Sequence, residues 1–248
     1  MLRSGKLSMV ADPAVGGRIA SVRYGATEFL ATHRDSQHLQ WGSTVWPAPQ
    51  SDWKWPPPAA LDQGVYEVVE KNRSKIVLRS PGPVYRGLQL EKALEAAGPG
   101  RILLTYTFIN NGQDTVRAGI WENTRVPWRG TASWPSAGLP EEAVPGLSRQ
   151  ASDLYLELGP QQRKRKLFLQ PTAPSLRYII DGIALERSWA PFDPTGAAPG
   201  QAPLEIYYDS TARFAELEIQ GPYETIAPGG ESSLSVYWAV YLNSTDTP

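Results

Sequence analysis

The chain has 248 residues, of which 41% are hydrophobic, and its 24 basic and 25 acidic side chains leave a formal net charge of −1. This length allows one large domain or two small ones with a sizeable core, and the balanced charge gives no basic excess for nucleic acid or an acidic membrane surface. The absence of cysteine excludes disulfides, thiolate catalysis and cysteine-ligated metals, and two histidines, His33 and His38, are too few for a multi-histidine metal site.

These counts set the expectations for ligands and location. No apolar run approaches the ~18 residues of a membrane span, and the N-terminal MLRSGKLSMVADPAVGG lacks the apolar stretch of a signal peptide. We therefore expect no metal, no cofactor, no nucleic-acid partner and no membrane partner. The oligomeric state is left open, and so is the compartment, since a chain without cysteine suits either the cytoplasm or export after processing.

Alternation of apolar and polar residues runs along the chain and predicts strands. It is clearest in RILLTYTFINN, residues 101–111, and in SLSVYWAVYL, residues 233–242. Turn-forming Gly, Pro, Asn or Asp separates most of these short runs. The pattern is typical of an antiparallel sandwich or barrel. Because no linker divides the chain, we predict one all-β domain over residues 1–248.

Residues 41–58, WGSTVWPAPQSDWKWPPP, concentrate tryptophan and proline. The segment holds five prolines and four of the nine tryptophans, namely Trp41, Trp46, Trp53 and Trp55. Proline fixes φ, removes a backbone donor and extends the residue before it. We therefore expect a stiff segment that is neither helix nor regular strand. Stiff tryptophan-bearing loops lose little entropy on binding and suit the flat C–H faces of sugar rings.

Polar side chains are interleaved with these tryptophans. Gln50, Asp52 and Lys54 are available for hydrogen bonds to sugar hydroxyls. The alternative is that the rings plug one end of the sandwich as a second, smaller core. The sequence leaves both interpretations open for any single tryptophan.

Lys92 stands out in GLQLEKAL, residues 87–94, which we predict as a strand ended by a Gly-Pro-Gly turn. It falls on the same face as Leu88, Leu90 and Leu94. A lysine among leucines either extends its ammonium to water at a sheet edge or faces a pocket.

A polar strand face is predicted in VRAGIWENTRVPW, residues 116–128. If the segment is extended, Arg117, Trp121, Asn123 and Arg125 share one face, with Glu122 on the apolar side. Two arginines, an amide and an indole suit hydrogen bonding to hydroxyls or a carboxylate. The alternative is that the arginines pair with surface acids, which contributes little.

The segments between these strands are predicted to be loops and turns. They comprise residues 135–150, residues 190–203 and QQRKRK at residues 161–166. SWAPFDP, residues 188–194, adds Trp189 and Asp193 as a candidate pocket rim. A short basic run of this kind is usually a solvated hairpin turn.

A second polar face is predicted near the C-terminus, in FAELEIQ. Glu216, Glu218 and Gln220 alternate with Ala215, Leu217 and Ile219. A carboxylate surrounded by tryptophans has a raised pKa and can serve as a general base. The alternative is a pair of ordinary solvated glutamates.

Several of these stretches together resemble the galactose mutarotase superfamily, whose members are aldose 1-epimerase-like. They are GGRIASVRYGATEFL (16–30), RGLQLEKALEAAGPGRILLTYTFINNGQDTVRAGIWENTRVP (86–127) and ELEIQGPYETIAPGGESSLSVYWAVYL (216–242). WPAPQSDWKWPP (46–57) is similar to a bacterial branch of that superfamily, the DUF4380 type. The resemblance covers nearly the whole chain, and its specificity comes from the order and spacing of the pieces.

The resemblance implies a β-supersandwich with a sugar site on a concave sheet face. It implies that Glu218 matches the glutamate of the family's Glu-x-Gln signature, which takes the proton from the anomeric hydroxyl. The family's histidine, which protonates the ring oxygen, has no counterpart, since Trp121, Glu122 and Asn123 stand near its place. The early arginine of the sugar-contact motif is also absent. Lys92, His33 or His38 are the remaining candidates for an acid.

Three hypotheses follow. The first, which we favour, is a protein that binds a small-molecule carbohydrate without mutarotation. The second is an epimerase or lyase with Glu218 as general base, that is, an aldose 1-epimerase-like isomerase or another carbohydrate-active enzyme. The third is a non-catalytic module whose tryptophans pack against another protein chain. The predicted substrate-binding residues are Trp46, Gln50, Trp53, Trp55, Lys92, Arg117, Trp121, Asn123 and Arg125.

Overall fold

A computed structural model describes residues 1–32, 40–83, 85–140, 142–160, 163–209, 211 and 214–243. Within these residues the chain forms twenty strands in two ten-stranded sheets, and every strand pairing is antiparallel. Helix in the described residues is confined to one four-residue turn, α1 (Ala59–Asp62), and two 3-10 turns, Gln50–Asp52 and Pro194–Gly196. The predicted all-β sandwich is therefore confirmed.

The strands are numbered in chain order. They are β1 (Leu2–Ser4), β2 (Leu7–Asp12), β3 (Arg18–Tyr24), β4 (Thr27–Glu28), β5 (Ser43–Ala48), β6 (Glu67–Lys71), β7 (Lys75–Arg79), β8 (Leu88–Ala96), β9 (Arg101–Asn110), β10 (Val116–Pro127), β11 (Thr131–Pro135), β12 (Leu147–Gln150), β13 (Asp153–Glu157), β14 (Arg165–Leu169), β15 (Ser175–Ile180), β16 (Ile183–Trp189), β17 (Leu204–Asp209), β18 (Phe214–Gln220), β19 (Glu224–Ile226) and β20 (Glu231–Leu242).

Each sheet brings together strands that are distant in the chain. The first sheet runs β1-β2-β3-β5-β10-β18-β17-β14, with β4 on β3 and β19 on β10. The second runs β12-β13-β11-β15-β16-β20-β9-β8-β7-β6. One large apolar core draws on both sheets, because each strand presents every second residue to it. The predicted strand over residues 87–94 is confirmed as β8.

The prediction that the tryptophan-rich segment contains no regular strand is wrong, because Ser43–Ala48 is a buried strand. This strand, β5, pairs with six positions of β10 but meets β3 only at Ser43. Beyond that position it is an edge on one side, where proline is tolerated within a sheet. Pro47 therefore does not prevent the strand, and the irregular part of the segment begins after Ala48.

Ion pairs and a lysine are also buried. Arg187 of β16 contacts Glu122 of β10 at 3.1 Å, so this pair joins the two sheets. Arg18 and Asp62 form a second buried pair at 3.1 Å. Lys92 on β8 is buried as well. The prediction that Glu122 lies on the apolar side of its strand is confirmed. Its charge is compensated within the core by Arg187.

Two predicted loop regions contain strands. β12 occupies the end of the predicted loop 135–150, and β14 takes in the last two residues of the predicted basic turn, Arg165 and Lys166. The region 190–203 holds only the 3-10 turn. In the parts of the chain that the structure covers, no helix is long and apolar enough to cross a membrane.

Candidate functional site

Five neighbouring strands of the first sheet, β5, β10, β18, β17 and β14, carry polar side chains on the face opposite the main core. On β18, for example, Ala215, Leu217 and Ile219 point into the core, so the residues between them point outward. We call the outward set the outer polar face; it consists of Thr44, Trp46, Trp121, Asn123, Arg125, Lys166, Glu205, Tyr207, Glu216, Glu218 and Gln220.

Sheet register brings the two predicted polar strand faces together. Trp121, Asn123 and Arg125 of β10 lie directly opposite Gln220, Glu218 and Glu216 of β18. Most of these side chains are buried rather than solvated. The interpretation of Glu216 and Glu218 as ordinary solvated glutamates is therefore wrong.

Glu218 is held at one carboxylate oxygen by two donors. The indole Nε1 of Trp121 donates to its Oε2 over 2.8 Å, and Lys166 Nζ donates to the same atom over 2.9 Å. Lys166 also forms an ion pair with Glu205 Oε2 at 2.6 Å and lies over the Trp121 ring, 4.8 Å from its centroid. Sequence reasoning missed Lys166, because its basic run suggested a turn in solvent.

The Glu218–Lys166 pair titrates in an unusual range. Burial raises the pKa of Glu218 to about 8, against the opposing effect of the Lys166 ammonium. Burial lowers the pKa of Lys166, but Glu218 and Glu205 more than offset this, so its net pKa lies above the ordinary value. At neutral pH the pair therefore consists of a charged ammonium and a carboxyl that readily exchanges its proton.

A second ion pair joins β10 to β18, two residues from Glu218 along β18. Arg125 Nε donates to Glu216 Oε1 over 2.9 Å, and its Nη1 donates to Thr44 Oγ1 over 2.9 Å. The guanidinium also lies over the ring of Trp46, 4.8 Å from the centroid. Arg125 is therefore fixed by a buried carboxylate rather than by a surface acid.

Several buried polar atoms of this face have no hydrogen-bond partner among the described residues. They are both side-chain polar atoms of Asn123, Nη2 of Arg125, Oε1 of Glu218 and Oε1 of Gln220. Buried polar atoms are almost always satisfied in native proteins. Their concentration on two adjacent strands therefore marks a place where a polar partner, either ligand or water, is expected.

The tryptophans form a compact cluster beside these polar groups. Trp46 packs edge-to-face on Trp121, with ring centroids 5.1 Å apart, and on Trp53 at 5.9 Å. Asp62 Oδ1 accepts from Trp46 Nε1, and Pro47 O accepts from Trp53 Nε1, both over 2.8 Å. These three rings are buried against one another as a second, small core, which matches the alternative interpretation of the tryptophan-rich segment.

Trp55 differs from the other tryptophans in its exposure. Its side chain is 55% exposed, and its ring packs edge-to-face on Trp46 with centroids 6.0 Å apart. Trp41 is buried next to the Arg18 guanidinium. Trp55 therefore leaves the largest ring surface of this segment open to a ligand.

The remaining predicted residues are scattered. Gln50 begins the 3-10 turn that leads to Trp53. Arg117 is exposed at the far end of β10 and stacks on Tyr223, 4.4 Å from its centroid. Trp189 ends β16, packs in the main core and lines a small pocket with Pro191 and Phe192, whereas Asp193 caps the second 3-10 turn and does not line that pocket. His33 and His38 lie outside the described residues.

Lys92 does not join the outer polar face. It sits on the second sheet, fully buried, and donates to the backbone oxygens of Gly16 at 2.8 Å and Gly17 at 3.3 Å. Its strand face points into the core, because its leucine neighbours do. The prediction that Lys92 contacts a ligand or extends to water is therefore corrected: its ammonium bonds to a buried turn.

Residues 1–241 match the family described as Domain of unknown function (DUF4380). The chain belongs to the DUF4380 family. The predicted membership is thereby confirmed, and among curated proteins none matches this DUF4380 chain.

Solved structures match the fold of the DUF4380 chain over nearly its whole length. A galactose mutarotase-like protein from Lactobacillus casei has a TM-score of 0.65 at 11% identity, covering 97% of this chain and 99% of that one. A galactose mutarotase related enzyme from Lactobacillus acidophilus has a TM-score of 0.64 at 10% identity, covering 100% and 98%. An Escherichia coli protein, a candidate aldose 1-epimerase, has a TM-score of 0.66 at 14% identity, covering 97% and 98%. The DUF4380 chain therefore has a galactose mutarotase-like fold.

Proposed function

We propose that this DUF4380 protein binds a small carbohydrate on the outer polar face. The observation that carries the proposal is the set of buried, unpartnered polar atoms on Asn123, Arg125, Glu218 and Gln220. Leaving such an atom unsatisfied costs about 1–3 kcal/mol. A ligand that satisfies several of them at once gains that free energy on binding.

The unpartnered atoms match a polyol in kind as well as in number. Asn123 offers one donor and one acceptor, Arg125 offers a donor, and Gln220 offers an acceptor. Each sugar hydroxyl is both donor and acceptor, so neighbouring hydroxyls complement such a mixed set. The fold adds support, because two of the similar structures are named for galactose mutarotase.

Aromatic and polar groups at the edge of the face complete the proposed site. Trp55 offers an exposed ring to the C–H face of a sugar, supported by Trp46 behind it. Gln50 and Arg117 remain proposed rim contacts, since each lies at an end of an element that adjoins the tryptophan cluster. The buried rings of Trp46, Trp53 and Trp121 shape the wall.

An epimerase or lyase with Glu218 as general base is the second candidate. The raised pKa of Glu218, about 8, favours it, because a carboxyl that exchanges its proton near neutral pH suits acid–base work. Polarimetry on freshly dissolved α-glucose and α-galactose tests it. A Glu218→Gln variant that matches the parent's mutarotation rate removes this mechanism. The third hypothesis, a protein-interaction module, loses support because three of its tryptophans are buried within the chain.

Calorimetric titration tests carbohydrate binding. The panel comprises neutral monosaccharides, uronic acids, amino sugars and disaccharides. We expect saturable binding of at least one class, and an Asn123→Ala variant to weaken it about tenfold or more, since two hydrogen bonds are lost. Asn111→Ala serves as the control, because Asn111 is exposed in the turn after β9 and its side-chain amide donates to Gln89. Absence of binding at millimolar concentrations across all four classes overturns the proposal.

A further inference from the structure

Lys166 reaches from the edge strand β14 across β17 to β18. Its ammonium lies 2.6 Å from Glu205 Oε2 and 2.9 Å from Glu218 Oε2, and 4.8 Å from the centroid of the Trp121 ring. Two carboxylates and an indole face form a complete environment for an ammonium. The side chain is 23% exposed, so its stem spans from solvent to the buried carboxylates.

This contact fixes which carboxyl oxygen of Glu218 is left without a partner. Oε2 already accepts from two donors, Lys166 Nζ and Trp121 Nε1, while the buried Oε1 has no partner in the described part of the chain. Rotation of the carboxyl about its own axis would break both bonds. A proton on Glu218 therefore resides on Oε1, since both donors point at Oε2.

We propose that Lys166 is a positioning residue of the carbohydrate site: with Trp121 it anchors Glu218 through Oε2, so that Oε1 alone is presented to a ligand. This inference rests on the proposed function. Below the pKa of Glu218 the Oε1 hydroxyl donates to a sugar oxygen; above that pKa the bare Oε1 accepts from a sugar hydroxyl. Lys166 therefore sets both the orientation of this contact and the pH at which its polarity reverses.

The charges around Glu218 fix the direction of the pH effect. The groups that face it are Lys166 on β14, Glu205 and Tyr207 on β17, Glu216 on its own strand and Arg125 on β10. Glu205 and Glu216 raise the pKa of Glu218 further after burial has raised it, whereas Lys166 lowers it. Removing the ammonium therefore raises the pKa of Glu218, and a guanidinium in its place restores it.

Carbon-13 NMR of the glutamate carboxyls measures the pKa of Glu218 without any ligand. The Glu218 signal is assigned by its loss in a Glu218→Gln variant. We expect Lys166→Met to move the Glu218 midpoint upward by about 1 pH unit or more, and Lys166→Arg to restore most of the shift. Lys164→Met is the matched control: Lys164 belongs to the same basic run, but its side chain is 70% exposed and pairs with Asp209. An unmoved midpoint in folded Lys166→Met overturns the proposal.

A sugar titration at several pH values tests the link to binding. In the parent we expect the affinity for the best sugar to change across the Glu218 midpoint, and in Lys166→Met the pH of that change to move with the midpoint. If the midpoint moves while the affinity profile does not, Lys166 does not position a ligand contact and the inference fails. If the parent binds no sugar, the proposed function fails, while the ligand-free titration separately decides whether Lys166 controls Glu218.

Discussion

Lys92 is a lysine enclosed by the sandwich, and its free-energy contribution depends on pH. Burial lowers its pKa from 10.5 to about 7, with the nearby Arg18 adding to the effect. Between these values the unfolded chain binds a proton that the folded chain does not. The free energy of unfolding therefore rises with pH from about 7 to about 10.5 on account of this residue.

Comparison of the parent with Lys92→Met isolates that contribution. Methionine has nearly the same length and no charge, so we expect the stability of the variant relative to the parent to be greatest near pH 7 and to decline steadily toward pH 10. Urea unfolding at several pH values measures this. Lys71→Met, which removes an exposed lysine of the edge strand β6, controls for the loss of one positive charge. A difference between Lys92→Met and the parent that does not vary with pH contradicts the expectation.

The sequence predicted on which side of a strand individual residues lie better than it predicted which residues contact them. Alternation placed Trp121, Asn123 and Arg125 together and Glu122 opposite, as the structure has them. It could not place Lys166, because nothing within five residues of β14 indicates that the strand lies against buried glutamates. Burial of a charged side chain depends on partners that are remote in the chain, and local pattern carries no information on them.

At the scale of an element, the start of β5 depends on the backbone of Gly42. Its φ is +64°, and a Cβ there would lie 2.4 Å from the backbone oxygen of Ile19. Its N–H donates to Ala31 O, and its oxygen accepts from Arg125 N. Gly42 thus joins the entry of β5 to β10 and to the segment after β4, and it packs closely against Ile19 of β3.

Replacing this glycine should be far more costly than the backbone angle alone requires. Gly25 has a similar φ of +61°, but a Cβ there would meet no atom within 4 Å, so Gly25→Ala carries only the left-handed penalty of about 1–2 kcal/mol. We expect Gly42→Ala to lose the same left-handed penalty in unfolding free energy and at least about 1 kcal/mol more from the steric clash with Ile19. Urea unfolding of both variants measures the difference, and equal losses would show that Ile19 moves away freely.

The same strand shows where element prediction fails. Five prolines among residues 41–58 suggested an irregular segment, yet the first six residues after Gly42 form a regular, buried strand. A proline in the sequence indicates only which backbone geometry that residue can adopt. Whether a sheet tolerates it depends on whether strands pair with it on both sides. That is a property of the topology.

At the scale of the whole molecule, Glu122 and Arg187 link the two sheets. Arg187 Nη1 donates to Glu122 Oε1 at 3.1 Å and to Thr124 Oγ1 at 2.7 Å, and both charged side chains are buried. Burial raises the pKa of Glu122 and lowers that of Arg187, each against the influence of the other. Neither charge is therefore tolerated well without its partner.

A double-mutant cycle tests this link. We expect Glu122→Leu and Arg187→Met each to lose about 3–5 kcal/mol of unfolding free energy, because each leaves a buried charge uncompensated. The double variant should lose clearly less than the sum of the two single losses. Chemical denaturation provides the three values, and additive losses would mean that the two side chains act independently.

Composition and alternation predicted an antiparallel sandwich or barrel, and the order of motifs predicted the family and, with it, the sandwich. Neither predicted which strands are neighbours: β10 pairs with β5 on one side and with β18 on the other, although all three are far apart in the chain. Those pairings assemble the outer polar face. The sequence therefore predicted only part of the outer polar face, as two separate strand patterns. No local feature of the sequence indicated that these two strands are neighbours.

The edge-to-face contact of Trp46 with Trp121 has an optical consequence. Two indoles with centroids 5.1 Å apart and planes crossed at 86° couple their electronic transitions, and such coupling splits an absorption into paired circular-dichroism bands of opposite sign. Trp121 also donates to Glu218, so a change at that carboxyl perturbs one member of the chromophore pair. The intensity of the couplet therefore offers a label-free signal for events at Glu218 in the intact chain.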